Sequence, residues 1–119
     1  MTETRTLKGG CHCGAVRYTA QADLAQVIEC NCSHCAAKGM VLTFTPASQF
    51  TLEQGEDSLC DYFFNRRAIR HRFCRTCGVE SFAESAMPDG TAIRAINLRC
   101  VEGVDVKALN PTPFDGASV

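Results

Sequence analysis

The chain has 119 residues, 45% of them apolar, and a formal net charge of −1. That length suits one domain, residues 1–119, with a small single core, and the near-neutral charge gives no reason to expect nucleic acid or an anionic membrane as partner. Residues 1–10 are polar and lack the apolar segment of a secretory signal, and the apolar-rich run 39–50 is too short to span a bilayer and holds Pro46, so the expected location is the cytoplasm.

Nine cysteines are the unusual feature of the composition. An odd number rules out complete internal pairing, and a reducing compartment disfavours a disulfide framework. Metal binding is the better reading of their spacing.

In chain order, Thr4–Lys8 reads as a strand and Gly9-Gly10-Cys11-His12-Cys13-Gly14 as a turn. Ala15–Thr19 alternates again, so the segment is expected to be a hairpin with two thiols at its tip. Residues 21–26 read as a loop. Val27-Ile28-Glu29 leads as a strand into Cys30-Asn31-Cys32-Ser33-His34-Cys35, with Ser33 as N-cap of one helical turn that Gly39 stops. Val41–Phe44, Phe50–Glu53 and Cys60–Phe64 read as strands, with Asn65-Arg66-Arg67 as a turn. Ile69–Phe73 alternates, with Arg70 and Arg72 on one side and Ile69, His71 and Phe73 on the other. It runs into Cys74-Arg75-Thr76-Cys77-Gly78, a zinc knuckle in outline. Residues 80–85 and 92–100 read as further strands, and the tail beyond Gly103 as irregular. Many short strands between turn signals predict an all-β sandwich or barrel with little helix.

Seven of the cysteines fall into three clusters. Cys11/Cys13 and Cys74/Cys77 together make the four ligands of a structural zinc tetrahedron. Cys30, Cys32 and Cys35 make three ligands of a second zinc and leave one corner for a fourth group, so two zinc ions per chain are expected. A mixed partition, with one cluster borrowing from another, is the alternative. Cys60 and Cys100 are left over and read as buried small apolar residues. His12 and His34 lie inside the thiol turns, where local hydrogen bonding is commoner than ligation. His71 falls on the apolar side of its strand and reads as a core histidine, or else as a ligand or proton carrier at the three-thiol site.

Three motifs in this order resemble the glutathione-dependent formaldehyde-activating enzyme family, which also includes the centromere protein V group. They are Gly10-Cys11-His12-Cys13-Gly14-Ala15-Val16, Cys30-Asn31-Cys32-Ser33-His34-Cys35 and Phe73-Cys74-Arg75-Thr76-Cys77-Gly78. The likeness continues through Gly55-Glu56-Asp57 and Asn97-Leu98-Arg99-Cys100 to Phe114-Asp115-Gly116. It implies a compact zinc-containing β-sandwich of short, curved antiparallel strands. It also implies a structural zinc on Cys11, Cys13, Cys74 and Cys77 and a catalytic one on Cys30, Cys32 and Cys35. The activity it implies joins glutathione and formaldehyde as S-(hydroxymethyl)glutathione, a carbon–sulfur lyase reaction in reverse. The chain is more compact than the characterised enzyme.

Three thiolates make zinc a weaker acid toward water than three imidazoles would, but they suit an incoming thiol such as glutathione. His34 and His71 are the expected proton carriers. The arginines at 66, 67, 70, 72 and 75 form a basic stretch, from which Arg70 and Arg72 are the expected partners of a substrate carboxylate. A nucleobase deaminase is excluded, because the Glu two residues after a ligand and the Pro-Cys-x-x-Cys of that signature are absent. The alternative to an enzyme is a non-catalytic zinc-stabilised binding module, which a fourth protein ligand on the 30–35 cluster would favour.

Overall fold

The hairpin around the first thiol pair forms as its pattern requires. In the computed structural model, which describes residues 4–63 and 69–115, β1 (Arg5–Gly10) pairs antiparallel with β2 (Arg17–Ala22), Gly10 opposite Arg17. Gly9 and Gly10 serve here by leaving space. A Cβ on Gly10 would stand 2.0 Å from the Val16 carbonyl oxygen, and one on Gly9 would stand 2.7 Å from the Tyr18 hydroxyl. Positive φ is used instead at Gly14, on the far side of the thiols.

The chain continues through β3 (Ile28–Cys30), the helix α1 (Ser33–Lys38), β4 (Val41–Pro46), β5 (Phe50–Gln54) and β6 (Leu59–Tyr62). Then follow β7 (Arg70–Cys74), β8 (Phe82–Ala86), β9 (Ala92–Asn97) and β10 (Thr112–Phe114). Two sheets result, one of three strands in the order β1-β2-β5 and one of seven in the order β10-β3-β4-β9-β8-β7-β6. The all-β expectation holds, and the described cysteine clusters are able to hold metal. The pairing is antiparallel except at one edge, where β10 runs parallel to β3. The tail read as irregular therefore contributes a strand. Pro111 precedes the strand and Pro113 is its middle residue; β10 lies at the sheet edge, where a missing N–H does least harm. The turn expected at residues 65–67 lies outside the described residues.

The core lies between the sheets. Leu7, Val16, Tyr18 and Ala20 from the smaller sheet's hairpin meet Val41, Leu59, Cys74, Phe82 and Ile96 from the larger. Tyr18, Phe50 and Phe82 form an aromatic group with ring centroids 4.8–5.7 Å apart. The buried Tyr18 hydroxyl donates to the Ser81 carbonyl oxygen at 3.0 Å, so its polar tip is satisfied.

The other face of the larger sheet positions the site. Phe44, Ala95, Ala83, His71 and Tyr62 form one row across five strands. The two alanines in its middle leave a shallow place where Cys35 and Met40 pack with Leu42, Ala83 and Ala95. This seats α1. Its N-cap is Cys32 rather than the expected Ser33: the Cys32 sulfur accepts from the Cys35 N–H, so a candidate metal ligand also caps the helix. Gly39 ends it in the left-handed conformation, as expected.

Candidate metal centres and the adjoining pocket

Cys11 and Cys13 sit in the loop joining β1 and β2, and Cys74 and Cys77 at the end of β7 and in the turn after it. The fold brings the four sulfurs within 4.8 Å of one another. Two separations, Cys11–Cys13 and Cys13–Cys74, are 3.6 Å. A tetrahedral zinc–thiolate site with bonds of about 2.3 Å has edges of about 3.8 Å, so the donor set and spacing fit zinc. Backbone N–H groups point at the sulfurs, from Val16 to Cys11 at 3.3 Å and from Thr76 to Cys74 at 3.4 Å. Burial alone would raise the Cys77 thiol, but hydrogen bonds from the Val79 and Cys13 backbones outweigh it and bring it down to about 6. At Cys13 the hydrogen bond from the Ala15 backbone favours the thiolate, yet the neighbouring thiols of Cys11 and Cys74 push it up to about 11. A dication would relieve that crowding of negative charge.

Cys30, Cys32 and Cys35 form the second group, again within 4.8 Å. Among the described residues no fourth His, Cys, Asp or Glu joins it. N–H groups of Cys32 and Cys35 point at the sulfurs of Cys30 and Cys32. Burial opposes ionisation of Cys32, but hydrogen bonds from Cys35 and Cys30 lower its pKa overall. Cys35 is raised, first by burial and then by its two thiol neighbours. Three thiols so placed also fit a soft tetrahedral ion, with one corner for an exogenous ligand. The partition of clusters expected from spacing is the one the fold assembles.

Beside α1 lies a pocket of about 530 Å³ lined by Ser33, His34, Ala37, Lys38, Tyr62, Phe73 and Gly78. His34 and His71 come together with ring centroids 4.0 Å apart, and Tyr62 stacks on His34 at 5.7 Å. The residue that unites them is Glu80, 3% exposed. Its carboxylate stands 2.9 Å from His71 Nδ1, 3.1 Å from His34 Nε2 and 3.3 Å from Lys38 Nζ. Burial lowers the His34 pKa, and His71 and Lys38 add to this against the opposing pull of Glu80. Two imidazoles and a carboxylate are able to hold a metal. Here the Lys38 ammonium already balances the carboxylate, so a dication would face a fixed cation at short range. Proton holding is the chemistry this arrangement suits.

Sequence reasoning missed Glu80 and Lys38. The available signal was a single charge in each of two otherwise uncharged runs, residues 77–83 and 30–50.

Arg70 and Arg72, the expected partners of a substrate carboxylate, lie away from this pocket. Strand alternation puts them on the sheet face opposite His71. There Arg72, 7% exposed, binds Asp61, Glu56 and Glu84 at 2.9–3.4 Å, and Arg70 approaches Asp61 and Glu84. Arg75 is exposed, and Arg66 and Arg67 lie outside the described residues. His12 is exposed and stands outside the four-thiol group. Cys60 and Cys100 are half-buried rather than buried. Cys100 is raised to about 11, by burial first and then by Cys11, Cys77 and Glu80.

Fold and clusters together define a small β protein built around two cysteine sites able to hold metal. The sequence profile of the glutathione-dependent formaldehyde-activating enzyme matches residues 6–112, and the chain belongs to that family. It is also similar to a Rhodobacter sphaeroides protein whose crystal structure was solved as a structural genomics target. The two share 30% identity over 89% of this chain and 97% of that one, with a TM-score of 0.78. Among the described residues, no helix is long and apolar enough to cross a membrane.

Proposed function

We propose that this protein is a zinc-dependent carbon–sulfur lyase acting on a thiol–aldehyde adduct such as S-(hydroxymethyl)glutathione. The observation that carries the reading is the Cys30/Cys32/Cys35 group, three converging thiols without a fourth protein donor among the described residues. Zinc held there would supply a soft acid that favours the thiolate form of a substrate sulfur. The other two-thiol turns complete the structural zinc.

The chain's own groups manage the proton. In the lyase direction the adduct's hydroxyl gives its proton to His34 on the pocket wall. The carbon–sulfur bond breaks with its electron pair passing to sulfur, and formaldehyde leaves. The proton then returns to the sulfur to give the free thiol. Glu80 stabilises the imidazolium in between, and His71 holds Glu80 in place from the opposite oxygen. The Lys38 ammonium, about one-third exposed and 5.3 Å from the Phe73 ring centre, faces the pocket and attracts a substrate carboxylate.

The test is cobalt substitution followed by addition of glutathione. Entry of a fourth sulfur at the three-thiol site strengthens and shifts the thiolate-to-cobalt absorption. An unchanged spectrum at millimolar glutathione would exclude that thiol, and a glutathione-independent formaldehyde reaction would exclude the lyase reading.

A further inference from the structure

Glu80 lies three residues beyond Cys77, yet its side chain grips the helix that carries Cys35. The link is short and well held at both ends. The Cys74 N–H donates to the Val79 carbonyl at 3.1 Å and the Gly78 N–H to the Cys74 carbonyl at 2.8 Å. The Glu80 carbonyl accepts from the Asn97 amide at 3.0 Å. Three residues reach at most about 10 Å, so the carboxylate follows wherever the Cys74–Cys77 turn goes.

At the other end, α1 has six residues, too few to persist alone. It is held by the packing of Cys35 on the sheet and by the Glu80 contacts to His34 and Lys38. Those two stand at i and i+4 on one face of the helix, and His34 lies between Cys32 and Cys35 in the chain. Among the described residues, Glu80 is the acidic partner of both His34 and Lys38 in the short contacts that hold this helix.

We propose that Glu80 couples the two cysteine clusters, so that an ion in the Cys11/Cys13/Cys74/Cys77 group raises the affinity of the Cys30/Cys32/Cys35 group. An ion bonded to Cys74 and Cys77 fixes the turn, the turn fixes the carboxylate, and the carboxylate fixes the helix from which Cys32 and Cys35 project. Coupling of binding free energies is reciprocal: the second ion strengthens retention of the first by the same factor. The inference rests on metal binding at both groups and is independent of the lyase reaction.

Cobalt retention by the four-thiol group, measured by chelator competition, tests it. Four-thiolate and three-thiolate cobalt are told apart by their charge-transfer absorption. Cys32→Ser disables the three-thiol group, and in an otherwise native chain it is expected to lower four-thiol affinity roughly tenfold, within the usual range of such couplings. In the Glu80→Gln background the same change should alter it by less than about twofold. A general weakening of the fold by Glu80→Gln would lower both affinities but leave the Cys32→Ser ratio intact. That result, or a ratio near one in the native background, overturns the proposal. Should Glu80→Gln fail to fold, Lys38→Gln removes one of the two helix contacts and should cut the ratio to roughly threefold; a full tenfold ratio there overturns it equally.

Discussion

The two cysteine groups differ in how far the chain travels to build them. Cys13 and Cys74 are 61 positions apart yet their sulfurs lie 3.6 Å from each other, and the group joins the hairpin of one sheet to the last turn of a strand in the other. Cys30, Cys32 and Cys35 come from one six-residue stretch at the edge of a strand. A long closure removes many conformations from the unfolded chain, so an ion in the first group acts on the whole fold. A local closure removes few, so an ion in the second adds less to stability than one in the first. The distant group is suited to holding the fold together and the local one to exchanging ligands beside a pocket.

Cys74→Ser tests the first half of that contrast and should have the largest effect. Cys74 is fully buried, and loss of its ligation is expected to cost about 10 kcal/mol, enough to unfold a domain of this size. Circular dichroism of the purified variant reads this directly. A melting temperature near that of the native chain would mean that the distant group does not hold a structural ion.

Arg72→Ala sharpens the contrast by weakening the sheet away from the pocket. It strands three carboxylates on one face, and because these are partly exposed the cost is about 2–4 kcal/mol. Chemical denaturation should show that loss, while metal analysis should still find both ions.

Cys32→Ser tests the other half. Serine can still cap α1, so the stability loss should be about 1.4 kcal/mol, the equivalent of the tenfold weaker hold on the four-thiol ion. Metal content should fall from two ions to one, and conversion of glutathione and formaldehyde should cease. A second ion retained in full would show that a different donor set holds it.

The smallest effect concerns Cys100. Its thiol is raised to about 11 from an ordinary 9.0, so the folded chain keeps a proton that the unfolded chain loses. Stability should therefore decline slightly as pH rises between about 9 and 11, and Cys100→Ala should flatten that decline. Alkylation by iodoacetamide, followed by peptide mass mapping, should be slow at pH 8 and rise with pH. Rapid labelling at pH 8 in the native protein would contradict the burial that causes the shift.

Much of this was legible in the sequence because the signals are local. Strand alternation, the glycines around Cys11 and Cys13, and the Cys-x-x-Cys-Gly turn each depend on a few adjacent residues. The helix at Ser33 was legible too, although its cap proved to be the sulfur before it. The ion pairs of Arg72 were not legible, because Asp61, Glu56 and Glu84 come from other elements. Glu80 was passed over because a carboxylate at a strand start usually meets solvent; nothing in the pattern around it says that His34, Lys38 and His71 will enclose it.

Spacing along the chain by itself determined most of the strands and the three thiol turns, since each depends on a few adjacent residues; which turns join was decided only when the fold brought Cys11 and Cys13 to Cys74 and Cys77. Only the tertiary structure decided which face His71 and the arginines occupy and which carboxylate joins the two histidines. Those outcomes depend on strand register and sheet order, where one step along a strand turns a side chain to the opposite side, and on contacts between segments that meet only after folding.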